Sequence, residues 1–240
     1  MTSPKHLARI AGVLYLLVGV FGGFAEGVVE PRMYVAGNAV ATTANVIANT
    51  GLVRLGIVAD LVDQTLFVFL VLTLYTLLRE IHQSVARSMV IFVVLASGIT
   101  CLNTVFEVEG LRVATGAVNL GAGSTAGMQS QVLLLLDAQH YGIFIAQIFF
   151  GLWLVPLGYL AYRSSGMFPR WLGVLLIAGG ISYLVEVLAV FLAPDAVQRI
   201  TSMVVILSAI AELCMVGYLL VIGVHTKPGV KTGEHILSEA

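Results

Sequence analysis

Asp60, Asp63 and Gln64 stand at i, i+3 and i+4 inside an apolar run, so on a helix two carboxyls and an amide share one face. The pattern recurs. Thr100, Asn103 and Glu107 share a face of the next apolar segment, and Asp137, His140 and Gln147 align at i, i+3 and i+10 on a later one. Ser182, Tyr183 and Glu186 lie together further on, as do Ser208 and Glu212, and near the start Tyr15, Gly19, Gly22 and Glu26 make a small-and-polar stripe. Carboxyl groups on several helices can bind cations or protons, and a carboxyl one turn from an imidazole can relay protons. Asp137 and His140 could also be the orienter and base of a hydrolase, but no G-x-S-x-G elbow supplies a nucleophile.

Metal and cofactor chemistry find less support. His140 is the single histidine inside an apolar segment, and Cys101 and Cys214 sit in unrelated ones. A zinc site normally gathers several such ligands, and one imidazole among carboxyls suits a harder cation better. No metal site is assigned. Zinc-finger, Walker and dinucleotide patterns are absent, so no cofactor is expected, and a net charge of −1 gives no case for nucleic acid.

The elements that carry these faces follow from composition. The 240 residues are 59% hydrophobic and 10% charged, whereas soluble domains are about 25% charged. A spanning helix needs about 20 mostly apolar residues. Six stretches qualify, at roughly 8–28, 54–78, 87–110, 138–162, 170–193 and 200–224. The expectation is an all-α membrane bundle of six transmembrane helices in one domain, 1–225, followed by a flexible polar tail, 226–240. The first stretch reads as a retained span, because no small-x-small cleavage site follows it and the apolar run continues through Glu26–Val29.

Lys and Arg near the segment ends orient the bundle with both termini cytoplasmic. Eight Lys and Arg with three Glu leave the inner side at +5, and four Arg with ten acids leave the outer side at −6, together the net −1 of the chain. The acids thus gather toward one face. Two outer connections are long. In 29–53, Asn38 can cap a short amphipathic surface helix with Val40, Ala44 and Ile47 on one face. In 111–136 a glycine-rich loop precedes a fourth helix that starts near Ala126–Gln129 and has Pro156 as its natural kink. A faint repeat links "RIAGVL" (Arg9–Leu14) to "RWLGVL" (Arg170–Leu175), with Glu26 and Glu186 at matching depth.

An acid at the centre of a bilayer costs about 2.5–3.5 kcal/mol. Asp60, Asp63, Glu186 and Glu212 are deep enough that they should face the bundle interior, a partner or water. The expectation is an outward-facing acidic cavity lined by these four with Gln64, Glu107, Asn103, Asp137, His140 and Gln147. Arg54 and Arg112 are the expected counter-charges. The many glycines, Gly19-x-x-x-Gly23 among them, suggest close helix packing.

The segments "ARIAGVLYLL" (8–17), "RLGIVADL" (54–61), "LDAQHYG" (136–142), "FFGLWLVPLGYLAYRS" (149–164) and "PRWLGVLLIAGGISYL" (169–184) together resemble a bacterial family of multi-pass membrane proteins, domain-of-unknown-function family 4386. The resemblance covers roughly 8–224. It implies a protein of the bacterial inner membrane and no assigned activity, so no residue role is carried over. Three functions stay open: a non-enzymatic protein whose cavity binds a small ligand, a cation, an amine or a proton; an intramembrane enzyme using Asp137, His140 and the Asp60–Asp63 face; and a structural or partner-binding subunit whose acids are all paired.

Overall fold

The structure is a computed structural model that describes residues 3–118, 121, 123–193 and 197–225, with side chains in the last segment from 206 onward. The tail 226–240, Asp195, the side chain of Arg199, and Asn119, Leu120 and Ala122 of the glycine-rich loop lie outside the described residues.

All described secondary structure is helical. Helix α1 spans Pro4–Phe24 and continues through a π-helical segment, Ala25–Val29, into a last turn, α2, Glu30–Met33. Helix α3 is Ala39–Ala48, α4 Thr50–Leu78, α5 Gln83–Ala114, α6 Thr125–Arg163, α7 Arg170–Leu192 and α8 Val197–Val221. The starts follow local chemistry. Ser3 caps α1 ahead of Pro4, Asn38 accepts from the Ala41 amide at α3, and Ser124 accepts from the Gly127 amide at α6. The fourth apolar segment therefore begins where its sequence suggests. Its 39 residues run unbroken past Pro156, about 58 Å at 1.5 Å per residue.

The long helices close a ring. Helix α1 packs on α4, α4 on α5, α5 on α6, α6 on α7, α7 on α8, and α8 returns to α1. Two glycine pairs hold α6 against α7. A Cβ on Gly158 would stand 2.6 Å from the Gly173 carbonyl oxygen, and one on Gly180 would stand 2.6 Å from that of Gly151. The two pairs are seven residues apart on each helix, two turns of an antiparallel contact that only glycine permits. Outward faces carry apolar side chains such as Leu55, Phe69, Leu102, Leu188 and Leu213.

Among the described residues five helical stretches are long and apolar enough to cross a membrane: Pro4–Met33, Thr50–Leu78, Gln83–Ala114, Thr125–Arg163 and Arg170–Leu192. These are the helices of a multi-pass membrane protein. Helix α8 has 25 residues, and its Ile206–Val221 stretch, where side chains are described, is apolar.

Inside the ring the side chains form layers. Toward the end that carries Lys5, Arg79, Arg87, Arg163 and Arg170, a large apolar core includes Leu70, Leu74, Met89, Leu157, Leu172 and Met215. At the opposite end Met33, Val46, Val53, Leu111 and Leu136 make a smaller one. The polar faces of the sequence lie between the two. Helix α3 sits over the smaller core, and the side it packs inward is Thr42, Thr43 and Val46, while Val40, Ala44 and Ile47 are exposed. The apolar stripe read in the sequence therefore faces away from the protein.

Candidate functional site

A cavity of about 160 Å³ opens between α1 and α6, which the ring order leaves facing each other across the bundle. On the α1 side its wall is largely backbone, at Gly19, Gly22 and Gly23, with Glu26 at one end. Helix α4 contributes Asp63, Gln64 and Phe67, α6 contributes Gln147, Phe150 and Trp153, and Tyr183 and Glu212 close it from α7 and α8. Its floor is aromatic: Phe67 meets Trp153 edge-on at 5.0 Å and stacks on Phe150 at 5.8 Å between ring centres. Among the described residues no Lys or Arg lines it.

Hydrogen bonding around this space is incomplete. Gln64 Nε2 donates to Asp63 Oδ2 at 2.8 Å, and Gln147 Nε2 donates to Glu186 Oε2 at 3.1 Å. Those bonds fix which way each amide points, since a flipped amide would set oxygen against oxygen. The other ends, Asp63 Oδ1, Gln64 Oε1 and Gln147 Oε1, are buried without a partner. Asp63 and Gln64 are 7% and 4% exposed. Glu212 differs, for Tyr15 and Tyr183 donate to its two oxygens at 2.8 and 3.1 Å.

Glu26 and Ile143 also border a hollow of about 10 Å³ with Glu30, Asp60, Glu107 and Gln139. It has room for no more than about one water. Asp60 and Glu107 are both buried there. Glu26 belongs to the π segment, whose i→i+5 bond from the Glu30 amide to the Ala25 carbonyl rotates everything after it relative to α1.

That rotation serves a second polar cluster nearer the end of the bundle. Glu30 Oε1 lies 2.7 Å from His140 Nδ1, and Tyr34 donates to Asp137 Oδ1 at 2.6 Å. The Tyr34 and His140 rings stack at 4.9 Å. Burial, and then the bond to Asp137, hold the Tyr34 phenol well above its ordinary range. Asp137 and His140, one turn apart, thus engage different partners and do not form a dyad.

The remaining expected residues take structural places. Asn103 Nδ2 donates to the Gln139 carbonyl at 2.6 Å, and a Cβ on Gly142 would overlap the Asn103 amide, so this pair clamps α5 to α6. Arg112 is not a counter-charge to the deep acids. It pairs with Glu109, three residues back on an exposed face where both side chains reach water-accessible surface. Arg54 is exposed as well, and no ion pair joins it to an acid among the described residues. Gly19 and Gly23 also depart from expectation: a Cβ on either would meet no atom within 4 Å, so they leave space instead of allowing close packing.

Glu30, Tyr34 and the aromatic floor are absent from the residues singled out by sequence. Phe67 follows Asp63 and Gln64 by four and three positions, and Phe150 and Trp153 follow Gln147 by three and six. Extending each polar face one turn would have reached Phe67 and Phe150, and a further step of three from Phe150 reaches Trp153.

A family model described as "Domain of unknown function (DUF4386)" matches residues 10–223. No curated protein and no solved structure matches the chain.

Proposed function

The chain belongs to this family of unknown function, and from that premise we propose that it is a small-ligand-binding protein of a bacterial inner membrane. In this reading six helices span the bilayer, both termini are cytoplasmic, α3 rests on the outer surface, and the cavity between α1 and α6 is reached from outside past Glu26. The observation that carries it is the set of three buried, unpartnered acceptors, Asp63 Oδ1, Gln64 Oε1 and Gln147 Oε1, on side chains that border one space. A buried acceptor left unpaired costs about 1–3 kcal/mol. A chain that leaves three around a cavity is suited to a donor that arrives with a ligand.

Access from one side fits the layers, because the larger apolar core lies between the cavity and the basic end. The basic end faces the cytoplasm by the excess of Lys and Arg there. An enzyme reading finds no support in Asp137 and His140, whose partners are Tyr34 and Glu30. A purely structural subunit would leave its acids paired. The test is thiol labelling in intact cells after Cys101 and Cys214 are replaced by serine. Single cysteines at Glu26 and Asp63 are expected to react with a small membrane-impermeant reagent added outside. If both stay unmodified while a cysteine at Val40 reacts, the cavity is not a site open to external ligands.

A further inference from the structure

We infer that the cavity between α1 and α6 receives a small organic ammonium ion, its N–H donors meeting Asp63 Oδ1, Gln64 Oε1 and Gln147 Oε1 and its carbon body resting on Phe67, Phe150 and Trp153. This rests on the cavity being a ligand site and names what the site selects.

Four features of the space agree on that class. The unpartnered atoms are all acceptors, and their orientation is fixed by the bonds at the other end of each side chain. An acceptor-only set calls for a donor-only group, and a primary ammonium carries three donors and no acceptor. The charge is one-sided: Glu26, Asp63 and Glu212 border the space and no basic side chain among the described residues does, so a cation brings the neutralising charge that the lining does not. The opposite wall is aromatic, and ring faces attract cations by about 0.5–2 kcal/mol depending on solvation. Glycines at 19, 22 and 23 leave the α1 side, between Val18 and Glu26, without side-chain bulk, and at Gly22 a Cβ would already stand 3.3 Å from Asp63 Oδ2.

The same features disfavour a bare metal ion. Calcium takes about six to eight oxygens at about 2.3–2.6 Å. Much of this lining is Val18, Phe67, Ile143, Phe150 and Trp153, which offer none. Among the described residues no group of His, Cys, Asp and Glu is arranged to hold a metal. Size sets the last limit. A volume near 160 Å³ matches a cavity of about 150 Å³ that holds benzene, so the ligand has roughly six non-hydrogen atoms.

The experiment uses the full chain in lipid nanodiscs and measures binding of n-butylammonium, tetramethylammonium, butan-1-ol and calcium, with protection of a cysteine at Gly19 as a second readout. n-Butylammonium is expected to bind and protect. Tetramethylammonium, which has the charge and no N–H donor, is expected to bind at least tenfold more weakly, and butan-1-ol and calcium weaker still. Asp63→Asn is expected to weaken n-butylammonium at least tenfold; should that variant not fold, Gly19→Leu, which adds bulk where a side chain finds room, is expected to abolish protection of a cysteine placed at Gly23. Equal binding of tetramethylammonium, butan-1-ol or calcium, or binding unchanged in Asp63→Asn, overturns the ammonium class and leaves a ligand site of another kind. If no probe binds or protects, the ligand-site reading itself falls.

Discussion

At one end of the bundle Tyr34 donates a hydrogen bond to Asp137 and Glu30 meets His140, a set of side chains that answer one another. Seven residues deeper on α6, about 10 Å along the helix, Gln147 joins Asp63 and Gln64 in a layer where each side chain bonds a neighbour at one end and leaves an acceptor bare at the other. Both clusters mix carboxyls with neutral polar groups, and α6 contributes to each. They differ in completeness. The first ties the α2–α3 connection to α6 and has the character of a structural latch. The second withholds bonds that a stable core would make, which is the pattern of a site kept ready for something else.

The comparison predicts opposite signs. The largest effect belongs to the deep layer. Replacing Asp63 and Gln64 together by leucine removes two unpartnered acceptors and fills part of the cavity, and is expected to raise stability by about 3 kcal/mol. Denaturant unfolding in detergent measures it, and the variant should lose n-butylammonium binding entirely. If the pair destabilises the protein instead, the layer is structural and the contrast collapses. Next in size is Asn103→Ala, which strips a buried donor from the α5–α6 clamp. It should lower stability by about 1.5 kcal/mol and leave probe affinity within twofold.

Tyr34→Phe tests the latch. It removes one donor from Asp137 and should cost about 1 kcal/mol. A double-mutant cycle with Asp137→Ala should return most of that as interaction energy, whereas a cycle of Tyr34→Phe with Asp63→Asn should return none. A sizeable coupling in the second cycle would join the two clusters into one network and erase the distinction between them.

How far this contrast could be read from sequence depends on which physical rule fixes each part. Helical spacing alone brings Asp60 to one face with Asp63 and Gln64, and it also gathers Thr100, Asn103 and Glu107, because the 3.6-residue period holds whatever the surroundings. Asn38 declares the start of α3 by the same local logic. The rotation of Glu30 onto His140 has no such signal, since the π segment at Ala25–Val29 is a response to packing and not to composition. Glycines are ambiguous for a related reason. Gly158 and Gly173 permit two helices to touch and Gly19 and Gly23 border open space, and only the azimuth of each helix toward its neighbours decides which. An aromatic such as Phe67 in an apolar run reads as ordinary core until an empty volume is found beside it.

Arg112 offers the smallest effect and a clean check on where the charge of the site comes from. The pair with Glu109 is available from sequence as an i, i+3 spacing, yet the deep acids have the greater need of a cation. Distance and dielectric settle the competition. An arginine that neutralised Asp60 or Glu107 would have to leave water, while one beside Glu109 keeps its guanidinium at the surface and gains an ion pair of about 0.2–1 kcal/mol. Arg112→Gln is therefore expected to change stability by less than about 0.5 kcal/mol, an effect that fades in high salt. It should leave the affinity for n-butylammonium unmoved, because the positive charge that the cavity lacks is supplied by the ligand and not by the rim.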